Sequence, residues 1–166
     1  MRIQLIIILI ALVLISGNGC ELEDTRSQAI TQVTITKITD GDTFKLSNGE
    51  IVRVLGIDYP DTASDRIGKW TDMGLDITKI KYCYRKGNEY LRNNLVNENA
   101  TLIADSLEDD KDRYGRILRY VEVDGMDVGE FLIKEGYAVM YDPTKPLCAR
   151  CYGYARLDKL GGCLWE

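Results

Sequence analysis

Between Val33 and Val123 the chain carries five short runs of strand character, and glycine writes the turns between the first three. Val33-Thr-Ile-Thr-Lys-Ile38 alternates apolar with polar residues until Asp40-Gly41 breaks it; Thr43 to Leu46 and Ile51 to Ile57 follow, joined through Asn48-Gly49. Alternation of period two buries one face of a sheet, and Asn-Gly supplies the positive φ that a tight hairpin needs. From Asp76 to Val96 the period changes: Ile77, Ile80, Tyr84, Leu91 and Leu95 share one helical face, with Gly87 a weak point in it. Thr101 to Leu107 and Ile117 to Val123 predict two more strands around the polar segment Glu108 to Arg116. Val128, Phe131, Leu132 and Glu135 predict a short helix ending at Gly136, and Ala149 to Leu160 predicts a third helix leading to Trp165. Asp58 to Leu75, with Pro60 and two glycines, reads as an extended surface loop. Three strands, a helix, two strands and then helices predict an α+β, mainly β fold: a small closed five-stranded barrel with about three helices at its ends. No internal repeat interrupts that order.

The barrel does not begin at the first residue. Arg2 precedes an uninterrupted apolar run from Leu5 to Ile15, and Ser16, Gly17 and Gly19 lead to Cys20. Eleven apolar residues are too few to span about 30 Å of hydrocarbon but suit the hydrophobic region of an export signal. Small residues directly before a cysteine resemble a lipoprotein processing site, so residues 1–20 are expected to be an export signal and Cys20 a lipid attachment point. The product would then stand outside the cytoplasmic membrane, secreted or held there by the lipid alone. Residues 21–32 are expected to be a polar tether and 33–166 the folded domain, large enough for one core and too small for two.

After Cys20 four cysteines remain, Cys83, Cys148, Cys151 and Cys163. In an oxidising compartment an even number favours two disulfides, with three connectivities open. A four-cysteine zinc site and a redox pair at Cys148-x-x-Cys151 are the alternatives.

There is no histidine in the chain. That excludes Ser-His-Asp and Cys-His nucleophile systems and every histidine-ligated metal. All 26 acidic residues but only 20 of the 21 basic ones follow Cys20, so a broad cationic surface for non-specific duplex binding is excluded as well. What remains is carboxylate, arginine and tyrosine chemistry, and two clusters offer it. In Asp40-Gly-Asp42-Thr43 and Arg53-Val-Leu-Gly-Ile-Asp58-Tyr-Pro-Asp61, the Asn48-Gly49 hairpin brings Asp42 and Asp58 to neighbouring chain ends. Two carboxylates there, with a nearby carbonyl, suit a hard cation such as calcium or magnesium. Arg53 stands inside an apolar strand and requires an anionic partner. Turn-capping acids, one of them paired with Arg53, would account for the same pattern. The second cluster, Asp112-Arg113-Tyr114-Gly115-Arg116, adds an arginine that with Arg53 can clamp a phosphate.

Four motifs in fixed order resemble the staphylococcal nuclease (thermonuclease) family: Ile38-Thr-Asp-Gly-Asp-Thr-Phe44, Arg53 to Asp61, Arg113-Tyr-Gly-Arg-Ile-Leu-Arg-Tyr120 and Glu130-Phe-Leu-Ile-Lys-Glu-Gly-Tyr-Ala138. The resemblance covers about Val33 to Tyr141. It implies an OB-fold barrel with three helices, a monomer, and calcium-dependent hydrolysis of single-stranded or frayed DNA and RNA leaving 3′-phosphate ends. By motif position it implies Asp42, Asp58 and the Tyr59 carbonyl as calcium ligands, with Asp40 behind them. Arg53 and Arg116 become the phosphate-binding catalytic pair, and Asp61 the group that activates water. Arg113, Tyr114 and Tyr141 become substrate contacts. The chain departs from the family pattern at Asp61, where the family has a glutamate, in a longer stretch from Asp61 to Cys83, and in its acidic charge. A catalytically silent OB-fold module binding nucleic acid or protein is the rival reading. A thiol-redox protein built on Cys148 and Cys151 would leave the first cluster unexplained.

Overall fold

A computed structural model describes residues 30–63, 66–141 and 148–166. These form eight strands: β1 (Ile30–Asp40), β2 (Thr43–Leu46), β3 (Ile51–Val54), β4 (Ile57–Asp58), β5 (Asn99–Ile103), β6 (Ile117–Val123), β7 (Met126–Asp127) and β8 (Val139–Met140). Four helices accompany them: α1 (Gly68–Asp72), α2 (Ile77–Leu95), α3 (Val128–Lys134) and α4 (Cys151–Leu157). The leader, Cys20 and most of the tether lie outside the described residues. Among those described, no helix is long and apolar enough to cross a membrane.

Strand β1 is the hinge of the architecture. It pairs antiparallel with β2 through Ile35↔Leu46 and Ile38↔Phe44, and with β5 through Ile30↔Ile103 to Thr34↔Asn99. Register shifts between Ile35 and Lys37 and between Ile38 and Asp40 bend it, so that one strand serves both halves of a closed sheet. β2 pairs with β3 and β5 with β6, both antiparallel; the parallel pair β3–β6, Val52↔Ile117 to Val54↔Arg119, closes the ring. The order β1-β2-β3-β6-β5-β1 is the five-stranded OB-fold barrel that the sequence predicts. Ile35, Phe44, Leu46, Val52, Leu102 and Tyr120 fill its interior.

Helix α2 is capped at Asp76, whose carboxylate accepts the backbone N–H groups of Thr78 and Lys79, and it packs Leu91 and Leu95 against the barrel. Gly87 is required here. A Cβ at that position would lie 2.2 Å from the Tyr59 hydroxyl, which donates to the carbonyl of Tyr84 at 2.8 Å. Gly136 (φ 65°) ends α3 as expected, and a Cβ there would also strike the backbone of Cys163 and Gly161 at 2.7 Å.

Several expectations are corrected. Ile51 to Ile57 is not one strand: Gly56 (φ 78°) turns the chain, and β4 leaves the barrel to pair with β8. The stretch Asp58 to Leu75 contains α1, because Trp70 anchors it by burying 98% of its surface with Ile80, Cys83, Val139 and Leu164 in a second small core. The first strand begins at Ile30, inside the expected tether, and the fourth spans Asn99–Ile103 rather than Thr101 to Leu107. The zinc reading fails, since Cys83 bonds Cys163 and Cys148 bonds Cys151 as disulfides.

The C-terminal segment is tied down by one buried acid. Asp105 accepts the Tyr120 hydroxyl at 2.5 Å, the Ala149 N–H at 2.7 Å and the Leu107 N–H at 2.9 Å. Burial alone would raise its carboxyl, but these donors outweigh that and hold it below the usual range. Next to it Arg150 bridges Glu122 (2.7 Å) and Asp127 (2.5 Å), and Asp127 also accepts the Tyr154 hydroxyl at 2.9 Å.

Candidate active site

The antiparallel pairing Thr43↔Arg53 sets the site. It puts the last turn before β2 beside the middle of β3, and the Asp42 carboxylate beside the Arg53 guanidinium. Arg53 Nη1 lies 2.7 Å from Asp42 Oδ2, and Nη2 lies 3.2 Å from Asp58 Oδ1 at the end of β4. The partner that an arginine in an apolar strand requires is therefore two carboxylates. Asp42 is almost wholly buried; its Oδ1 accepts the Thr43 hydroxyl at 2.8 Å and its Oδ2 the Tyr59 N–H at 3.2 Å. Burial raises the Asp42 carboxyl above its ordinary value even against the pull of Arg53.

Arg116 approaches from the hairpin before β6. Asp112 fixes it, accepting from Arg116 Nε at 2.6 Å and from its backbone N–H at 3.0 Å, while Arg116 Nη1 donates to the Thr43 hydroxyl at 3.3 Å. The Thr43 oxygen thus links Arg116 to Asp42. Closure of the barrel through β3–β6 makes this reach possible, since Arg53 and Leu118 are direct neighbours in that seam.

Every residue singled out in the sequence for this chemistry lines one cleft of about 970 Å³: Asp40, Asp42, Arg53, Asp58, Tyr59, Asp61, Arg113, Tyr114, Arg116 and Tyr141. They are not all alike within it. Tyr114 and Tyr141 are 69% and 62% exposed; Arg113 and Arg116 lie 4.8 and 5.5 Å from the Tyr114 ring, and Lys69 lies 5.9 Å from that of Tyr141. Tyr59 is buried, its hydroxyl turned to α2, so its side chain is structural and Gly41 makes room for it: a Cβ there would meet the ring at 2.2 Å. Asp61 is engaged twice, with Arg66 Nε at 2.8 Å and with the Ala63 N–H at 2.9 Å.

Four contributors were not legible beforehand. Thr43 was read only as a strand start and Asp112 only as part of a polar tip. Lys69 pairs with the second oxygen of Asp58, and Arg66 holds Asp61; both come from the segment read as loop. The polar sequence of that segment gives no signal for them; Lys69 stands beside Trp70, which is buried in the second core.

The donor set suits a hard divalent cation. It is oxygen-only, with Asp42, Asp58 and the Tyr59 carbonyl adjacent in chain to Asp58. Burial, and after it the charge of Asp42, raises the Asp40 carboxyl to about 6. Among the described residues no three Asp, Glu, Cys or His side chains converge in an arrangement that could hold a metal ion by themselves.

Comparison with known proteins agrees with this geometry. The chain is 35% identical over 124 residues to the SPbeta prophage-derived endonuclease YokF of Bacillus subtilis, covering 69% of this chain and 37% of the relative. It is 34% identical over 124 residues to endonuclease YncB of the same organism, covering 69% and 52%. It is 29% identical over 107 residues to the thermonuclease of Staphylococcus hyicus, covering 63% and 56%. The chain thus spans between 37% and 56% of the length of these three relatives. The sequence model of staphylococcal nuclease homologues matches residues 51–161, from the strand of Arg53 through the hairpin of Arg116 to the end of the C-terminal helix. With two thirds of its length in that match and the closed OB-fold barrel beneath it, the chain belongs to the staphylococcal nuclease family.

Proposed function

We propose that this protein is an exported calcium-dependent nuclease that hydrolyses DNA and RNA phosphodiester bonds in single or frayed strands and leaves 3′-phosphate ends. The observation that carries the reading is the single chain of contacts Arg116–Thr43–Asp42–Arg53–Asp58 in one cleft. A binding module has no use for two acids and two arginines locked together in this way. Asp42, Asp58 and the Tyr59 carbonyl would hold calcium, which when bound supplies positive charge to the phosphate and acidifies water. Arg53 and Arg116 orient the scissile phosphate and oppose the charge that builds on its oxygens, a role worth about 3 kcal/mol for one well-placed donor. Asp61 accepts the proton of the attacking water once it lets go of Arg66. Tyr114 and Tyr141 offer faces for bases, and Arg113 a charge for the adjoining phosphate. Export through residues 1–20, with lipid on Cys20, completes the proposal.

One observation favours the rival reading. Asp61 is a methylene shorter than the family's glutamate and is held by Arg66, which suits a weak or silent OB-fold module. Incubating the protein with single-stranded DNA, in calcium or in a chelator, separates the two. Calcium-dependent products with 3′-phosphate ends, lost in Arg53→Ala, are expected; a folded protein that binds the strand and never cuts it would establish the module. The intact mass of the processed protein tests lipid on Cys20.

A further inference from the structure

Helix α2 concentrates the positive charge of an otherwise acidic chain. Its 19 residues include Lys79, Lys81, Arg85, Lys86 and Arg92 against Glu89 alone. That is an excess of four on a chain of formal net charge −5, which leaves −9 on all the rest. The charges are also sorted by position. At about 100° per residue, Lys81, Arg85 and Arg92 fall within about 40° of one another, on a ridge about 16 Å long. All three are exposed, and none has an ion-pair partner among the described residues. Glu89 is used by Lys86, at 3.6 Å.

No residue of α2 lines the cleft itself, but one ring contact ties the helix to it. Tyr84, the next residue of α2 toward the core from that edge, has its ring centroid 5.7 Å from that of Tyr59, which lines the acid end of the cleft. A membrane is a poor occupant, since a helix that lies in a lipid surface needs an exposed apolar face, and α2 exposes only Ile77 and Tyr82 while its other large apolar side chains pack on the barrel and the second core.

We propose that Lys81, Arg85 and Arg92 form an outlying track that carries the phosphate backbone of a single strand where it leaves the cleft past Tyr84. This rests on the nuclease reading and extends it: the site itself handles a few nucleotides, and the track makes grip depend on strand length. On a chain this acidic, three aligned cations at the exit supply the attraction that the overall charge withholds.

The test compares the full chain with the triple variant Lys81→Gln/Arg85→Gln/Arg92→Gln. Binding to a single strand of about twenty nucleotides is followed by anisotropy in chelator across a salt series, and cleavage of a trinucleotide is followed in calcium. The expected result is trinucleotide cleavage within twofold of the parent, but long-strand affinity lower by tenfold or more at low salt. The dependence of log affinity on log salt should be shallower by about 2, from three phosphate contacts at about 0.7 each. The variant Lys79→Gln/Lys86→Gln, on the other edge of α2, should leave the slope unchanged. A triple variant with the parental slope overturns the track. So does one that loses binding to phosphatidylserine vesicles while holding the long strand as before, which would make the ridge a membrane contact. A parent that neither cuts the trinucleotide nor binds the long strand refutes the nuclease reading itself, a different outcome from either.

Discussion

The Thr43 hydroxyl stands between Asp42 and Arg116, donating to the first at 2.8 Å and accepting from the second at 3.3 Å. One oxygen atom therefore joins the acid side of the cleft to the arginine brought in by the far hairpin. Replacing it by the isosteric Val removes the oxygen and keeps the shape. Thr43→Val is expected to lower stability by about 1 kcal/mol, the worth of a buried hydrogen bond, and to cut kcat/KM for single-stranded DNA about tenfold with most of the loss in kcat. Equilibrium unfolding and initial rates read the two effects separately; an unchanged kcat would show that Arg116 needs no help from Thr43.

Asp61 offers a gain-of-function test. Its carboxylate is caught between Arg66 and its own turn. Glutamate at this position reaches about one methylene further, and a base misplaced by about 1 Å can cost a hundredfold. Asp61→Glu should equal or exceed the parental rate, and Arg66→Ala in that background should not reduce it. A large drop in Asp61→Glu would show that the aspartate is already well placed.

The Asp105 network predicts an acid response. A carboxyl held below its ordinary value in the folded state stabilises the fold above the unfolded pKa of about 3.9, and that contribution disappears as pH falls through the lower folded value. Asp105→Asn puts an amide donor where the Tyr120 hydroxyl and two N–H groups need acceptors. It should cost about 2 kcal/mol at pH 7 and less near pH 3, already below the unfolded value, where the contribution of the charged carboxylate is being lost. Urea unfolding at the two pH values measures this; equal losses at both would show that the charge is not what holds the segment.

The two disulfides should differ sharply in worth. Cys83–Cys163 joins residues 80 apart and stitches α2 to the tail that covers Trp70, whereas Cys148–Cys151 spans three residues. Loop-closure entropy assigns the first about 4 kcal/mol and the second far less. Cys83→Ala/Cys163→Ala should lower the thermal midpoint by many degrees, and Cys148→Ala/Cys151→Ala by few. The first should also expose Trp70, read by its fluorescence, because Leu164 loses its anchor.

Much of this was legible in the chain because local rules fix it. Asn48-Gly49 sets the β2–β3 hairpin, and that hairpin places Asp42 beside Arg53, while Asp58 reaches them through the turn at Gly56. Asp76 caps α2 where the period changes. The misreadings share one origin, tertiary packing that no local rule records. Trp70 makes a helix of a polar stretch because a second core waits for it, and Gly56 breaks an apolar run because β8 pairs β4 from eighty residues away. Gly87 looked like a defect in a helix until the Tyr59 hydroxyl appeared opposite it. Lys69 enters the cleft on α1 and Arg66 just before it, so the least legible part of the site is the segment around that helix.

The parallel seam between β3 and β6 has a consequence in time. A growing chain that has not yet delivered Arg116 and the strand after it owns both acids and Arg53, but no closed ring. Contacts so distant in sequence form late, since a long loop must close before they reward it. The cleft therefore comes into being only with the last barrel strand, and a half-made chain holds the acids of the candidate site before the second arginine is fixed beside them.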